Sequence, residues 1–373
     1  MATLLGLAGS SLWGQGYPQP QYAAPTSAAS YYSPYATQHA AAPLASGQLA
    51  GHCHSGDCQH CCSSHCQTGC CLHRTGGFAE YLHWQVRGID MAYAVPQDGI
   101  GGAGTTPMGE VGTADFDYDN GFRAGFNLAL DCQSSVGATF TSFEARTSDS
   151  IEVAAPGVIQ PLVMFPGTFN AGFTAQAAAA AYALDLRLID LDYRAVWLQG
   201  CDYHVNYLAG LRYGHLDQDF EAVFPFATPD GTTQVDSDIN FDGGGIRVGL
   251  EGERAVWKQA GLRVYGKTTA SLLAGEFRSS YLQANQFNGI EAEITWDDRR
   301  VVPIGEWELG VSWVSRGDFV RVSAGYHFAW WGNVVTTPEL INAVQGYNFT
   351  DVGQDTEDDI TFDGLVARLE LRM

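Results

Sequence analysis

Residues 120–130 read NGFRAGFNLAL. In an extended chain Phe122, Ala124, Phe126, Leu128 and Leu130 fall on one face, and Arg123, Gly125, Asn127 and Ala129 on the other, because successive strand side chains point to opposite sides. One face is greasy and the other polar. The period recurs downstream. Val205, Tyr207, Ala209, Leu211 and Tyr213 oppose Asn206, Gly210, Arg212 and Gly214; Ile246, Val248 and Leu250 oppose Arg247, Gly249 and Glu251. Leu262, Val264, Ala270 and Leu272 oppose Arg263, Lys267, Thr269 and Ser271, and the pattern returns around Arg321 and from Leu365 to the C-terminus. Soluble strands centre on about 5 or 6 residues, whereas a strand crossing a bilayer needs about 9 to 11. These segments match the longer class.

The segments number about ten, near 78–95, 117–131, 135–146, 182–199, 203–221, 237–254, 261–280, 300–314, 319–332 and 358–373. Their connections alternate in length. Asp131–Ser135, Gly200–Asp202, Ala255–Ala260 and Ser315–Asp318 are short; Pro96–Asp115, Thr147–Ala178, Ala222–Val235, Gln283–Asp298 and Asn333–Glu357 are long. Short turns on one side and long loops on the other predict an all-β, antiparallel, up-and-down transmembrane barrel with both ends on the periplasmic side. Twelve strands follow if Val158–Phe165, or the alternation of Ile290, Ala292, Ile294 and Trp296, forms a further membrane hairpin.

Composition narrows the function. Of 373 residues 41 are acidic and 19 basic, a net charge of −22. Nucleic acid is excluded as a partner, since phosphate binding needs clustered Lys and Arg. No long apolar run suited to a membrane helix follows the first few dozen positions. GxSxG and HExxH motifs are missing, so neither an enzyme nor a cofactor is expected.

The first 77 residues differ in texture. Residues 1–14 are apolar with small residues, like a weak signal segment without its basic start. Residues 15–51, rich in Ala, Pro, Gln and Tyr, read as a disordered periplasmic linker. Residues 52–77 carry seven of the nine cysteines. Cys58, Cys61, Cys62, Cys66, Cys70 and Cys71 sit near metal-ligand spacing, and a disulfide-linked knot in an oxidising compartment stands beside metal binding as a reading.

The stretches NGFRAGFNLAL (120–130), LRLIDLDYRAVW (186–197), YLAGLRYGHL (207–216), FDGGGIRVGLEGER (241–254), GLRVYGKTTASLLAGE (261–276) and FVRVSAGYHFAWW (319–331), in this order, resemble the Legionella-type major outer membrane protein family. The resemblance covers most of 78–373. It implies an outer-membrane barrel in a Gram-negative envelope with pore-forming activity, and it brings no catalytic residues.

Six arginines lie on the polar faces of six strands: Arg123, Arg212, Arg247, Arg263, Arg321 and Arg368. An arginine facing lipid at the bilayer midplane costs about 2 to 4 kcal/mol, so this face is expected to point into the lumen. Glu251 and Glu370, with Asp185 and Asp192, are expected to share it. Such a lumen passes small hydrophilic solutes or ions by charge, or its ion pairs fill it, as about eight strands enclose only side chains. Trp84, Trp197, Trp313, Trp330 and Trp331, with Tyr93, Tyr193, Tyr213 and Tyr326, suit interfacial belts. Cys132 and Cys201 fall in short turns and can pair. Acidic loops around Asp351, Asp355 and Glu357 suggest a crown facing lipopolysaccharide, other outer-membrane lipid, or a protein partner. A homo-oligomer is left open.

Overall fold

The computed structural model describes residues 72–99, 106–168, 175–200, 202–226, 231–346 and 358–373. The signal segment, the linker, the six metal-candidate cysteines, Cys201, Asp351, Asp355 and Glu357 lie outside the described residues.

The elements in chain order are β1 (Gly76–Arg87), β2 (Met91–Gln97), β3 (Gly112–Ala114), β4 (Tyr118–Ala129), β5 (Ser134–Glu152), β6 (Val158–Pro161), β7 (Ala177–Gln199), β8 (Tyr203–Pro225), β9 (Thr232–Trp257), β10 (Leu262–Asn285), β11 (Gly289–Val314), β12 (Val320–Val334), α1 (Thr337–Gly346) and β13 (Asp358–Arg372). Ten of the strands close a barrel in the order β1-β13-β12-β11-β10-β9-β8-β7-β5-β4; β3-β2-β6 form a separate small sheet. The ten-strand expectation stands. Val158–Phe165 contributes β6 to the small sheet, and Ile290–Trp296 is the upper part of β11, so neither adds a membrane hairpin.

Closure can be checked by register. From Tyr81 the pairing runs through Phe122, Ser142, Arg187, His215, Asp242 and Glu276 to Arg299. In the other direction it runs through Ala367 and Ala324 to Val311. Both ends lie on β11, twelve residues apart (311 − 299), which is the barrel's shear. With ordinary strand spacing and rise, ten strands at that shear tilt by about 40° on a backbone radius of about 10 Å. Side chains from facing walls therefore meet near the axis.

The strands run well beyond the expected ones because the polarity of their alternation inverts. On β8 Tyr207, Leu211 and Tyr213 are exposed outside while Arg212 is buried inside; farther up, Leu216, Phe220 and Phe224 are buried inside and Asp217, Asp219 and Glu221 take the outer face. Apolar-out becomes apolar-in where the chain leaves the lipid. The links expected at Ala222–Val235 and Gln283–Asp298 are accordingly strand for most of their length, leaving only 226–231 between β8 and β9 and 286–288 between β10 and β11. At the opposite end the turns are tight. Gly261 closes the β9–β10 turn at φ 75°, a left-handed conformation natural to glycine.

Candidate functional site

The lumen holds three tiers. At the end with the tight turns, Glu253 takes Arg321 at 3.0 Å and Arg263 at 3.2 Å, and Glu370 takes Arg372 at 2.9 Å and Arg321 at 4.0 Å. Glu251 sits slightly higher, 3.5 Å from Lys267 and 3.7 Å from Arg194.

The middle tier spans the bore. Arg212 on β8 is 2.6 Å from Asp190 on β7 and 2.9 Å from Glu306 on β11, three strands around the ring from β8. Arg247 reaches Asp192 at 2.8 Å, Asp190 at 2.9 Å and Glu306 at 3.3 Å. Arg123 on β4 binds Glu80 at 2.9 Å and comes within 3.8 Å of Glu308 on β11, four strands away in a ring of ten. Arg368 binds the other oxygen of Glu80. Apart from Arg368, whose side chain is 21% exposed, these groups are almost wholly buried; Arg212 and Arg247 are 3% and 4% exposed. A cavity of about 10 Å³ lies among Arg123, Arg247, Lys267, Glu306, Glu308 and His327, room for a single water.

Above the ions the bore is apolar. Trp84 stacks on His327 with ring centroids 4.6 Å apart and meets Phe143 at 5.6 Å, while Phe143 and Phe362 meet edge to face at 6.1 Å. A Cβ on Gly214 of β8 would lie 3.7 Å from Trp331 of β12, so this tier is also spanned from wall to wall. Helix α1 plugs the top, with Leu340, Ile341 and Val344 buried. Gln345 donates to the carbonyls of Leu162 and Met164, and Gln218 donates to the Val335 carbonyl at 2.9 Å while accepting from the Thr337 amide at 3.3 Å. The small sheet packs beside it, where the Tyr93 hydroxyl donates to Asp149 at 3.0 Å.

All six sequence-predicted arginines face inward, as do Glu251, Glu370 and Asp192. Asp185 does not. It lies on the outer parity of β7, paired with Arg187. Glu251 pairs with Lys267 and Arg194, not with Arg123, Arg212 or Arg247. The acids that do hold those arginines, Glu80, Asp190, Glu306 and Glu308, were readable from the same alternation; Glu306 and Glu308 bracket the outward Trp307. Trp197, Trp313, Tyr193, Tyr213 and Tyr326 are exposed on the outside, whereas Trp84, Trp331 and Tyr93 are buried, because their parity or their sheet turns them into the apolar tier. Cys132 is disulfide-bonded. The Leu72 and His73 amides donate to its carbonyl at 3.0 and 3.4 Å, holding the end of the cysteine tract at the β4–β5 turn. Outside the membrane, Asp238 stands opposite Asp219 on β8; partial burial and the shared proton with Asp219 push its carboxyl up to about 6.

Residues 78–373 match the family model described as Legionella pneumophila major outer membrane protein precursor. No curated protein matches the chain. Among solved structures, the outer membrane protease OmpT from Escherichia coli aligns at 14% identity and a TM-score of 0.40, over 80% of this chain and 97% of its own. A deletion mutant of the monoaromatic hydrocarbon channel TodX aligns at 7% identity and TM-score 0.29, over 81% and 92%. A FadL homologue of Pseudomonas aeruginosa aligns at 9% and 0.19, over 79% and 88%.

Proposed function

We propose that this chain, which belongs to the Legionella major outer membrane protein family, is a plugged outer-membrane barrel that keeps its bore sealed and presents an acidic extracellular crown to a partner. One observation carries the reading: ion pairs cross the bore, Arg212 to Glu306 at 2.9 Å and Arg123 to Glu308 at 3.8 Å. With walls about 10 Å from the axis, paired side chains occupy the space a solute would need. The apolar tier and α1 seal it a second time. No catalysis is assigned to these groups.

A second reading, porin-like passage of small hydrophilic solutes or ions, is favoured by the polarity of the lower bore. A permanently sealed barrel is held as well or better by apolar packing as by buried ion pairs. Conduction in this reading requires the cross-bore pairs Arg212–Glu306 and Arg123–Glu308 to part, the apolar tier to open and α1 to leave the mouth.

Planar-bilayer recording of the full chain, with heat-modifiable gel migration reporting its folding, separates the two. Folded, inserted protein without current steps is the expected result. Discrete steps of uniform size would replace the plugged reading by the porin-like one, and Arg212→Gln should then change their ion selectivity.

A further inference from the structure

The outer wall of the barrel carries its arginines at restricted heights. From the tilt and shear, each residue along a strand rises about 2.5 Å along the axis and each register step between strands about 3 Å. On that scale almost all the exposed apolar side chains of the wall fill a band of about 25 Å, the height of an outer-membrane lipid belt; Tyr213 and Leu272 lie at its upper edge. Arg187 on β7 stands at that edge. Arg146 on β5 and Arg87 on β1 stand about 8 Å above it, in the headgroup zone.

These three point outward and remain open. Their side chains are 55%, 74% and 56% exposed. Each is steadied by one carboxylate, Asp185, Glu144 and Asp363 respectively. A guanidinium has five donors in a planar fork, so one carboxylate leaves others for a second anion. Below them Tyr81 and His83 stack at 6.4 Å, and His83 and Tyr118 at 5.2 Å, a polar-aromatic rim of the kind that suits a lipid boundary. At the same level β8 and β9 offer carboxylates, with Asp217 and Asp242 on the outer face. The boundary is therefore lopsided in charge.

We propose that the sector β1–β4–β5–β7 binds a phosphorylated glycolipid of the outer leaflet, with Arg87, Arg146 and Arg187 receiving its phosphates. Arginine is suited to this by its bidentate match to phosphate oxygens, and the height of the three residues puts them where those oxygens lie. Arg278 and Arg299, about 13 to 15 Å above the edge on the same scale, stand too high to take part.

The test uses the full chain in detergent, with lipid A carrying its phosphates, enzymatically dephosphorylated lipid A, and inorganic phosphate as probes, and bound lipid read by native mass spectrometry. The phosphorylated lipid should bind at least tenfold tighter than the dephosphorylated one. R87Q/R146Q/R187Q should abolish that difference, and R278Q/R299Q should leave it intact. Equal binding of the two lipids, or equal loss in both variants, overturns the proposal; competition by millimolar inorganic phosphate alone would assign the site to a free anion and overturn it as well. Should the triple variant lack heat-modifiable migration, Arg146→Gln, the most exposed of the three, makes the same comparison and should lose part of the preference.

Discussion

At the residue scale the lumen is a place where single substitutions are costly. Arg212 neutralises Asp190 and Glu306 together, and both acids are buried. Removing one partner of a buried pair leaves an uncompensated charge, at about 3 to 5 kcal/mol. Arg212→Gln should therefore lower unfolding stability by that order, and adding Glu306→Gln should recover part of it, measured by denaturant unfolding from lipid vesicles. No recovery would mean that the pair is not coupled. A second residue prediction lies outside the lipid. Asp238, with its carboxyl at about 6 in the folded barrel, binds more protons there than an unfolded aspartate does between about pH 4 and 6. Its contribution to stability is complete at low pH and is lost as pH rises through 6. Infrared titration should show a carboxyl near 6 that disappears in Asp238→Asn and moves down toward the ordinary range in Asp219→Asn; an unchanged band in both variants would assign it elsewhere.

At the element scale the membrane strands were legible and the plug was not. A strand in lipid advertises itself, because every second residue must be apolar and every other one is free to be charged; Phe122 to Leu130 and Tyr207 to Tyr213 say so unaided. Helix α1 falls within a connection read as loop. Its ten residues bury Leu340, Ile341 and Val344 only because a barrel mouth is there to receive them, and an isolated helix of that length is marginal in water. The helix should be the weakest-held layer of the interior. Leu340→Asp places a charge in the apolar tier and should expose α1 to protease while the barrel keeps its heat-modifiable migration; loss of the barrel instead would make the helix part of the folding core. The turns hold a second element-level question. Cys132 is bonded, and the pairing proposed with Cys201 should appear as a Cys132–Cys201 peptide in non-reducing mass mapping. A Cys132 peptide linked to Cys70 or Cys71 would replace it by a tether from the cysteine tract to the β4–β5 turn.

At the scale of the whole molecule, one inversion organises the chain. Within the lipid the barrel is apolar outside and ionic inside; above it the same strands are acidic outside and apolar inside, and the sign changes between Tyr213 and Asp217 on β8. This is why reading for a membrane pattern cut the strands short at Glu221 and Arg300: the period of two continued, but its apolar phase moved to the other face. It also explains how so acidic a chain can sit in a membrane, since much of its basic charge is spent inside the bore against matching acids while the unbalanced carboxylates crowd the crown. A spin-label scan along the outer face of β8, at positions 207, 209, 211, 213, 215, 217, 219 and 221, tests the inversion directly. Collisions with dissolved oxygen, which concentrates in lipid, should dominate up to 213, and collisions with a water-soluble nickel chelate from 217 onward. Labels at 208 and 216, facing the packed interior, should be shielded from both. If oxygen accessibility persists through 219, the strands are embedded for their full length, the lipid edge lies higher, and the acidic ladder of Asp217, Asp219 and Asp238 would have to be buried in the membrane, at a cost that the closed barrel offers nothing to offset.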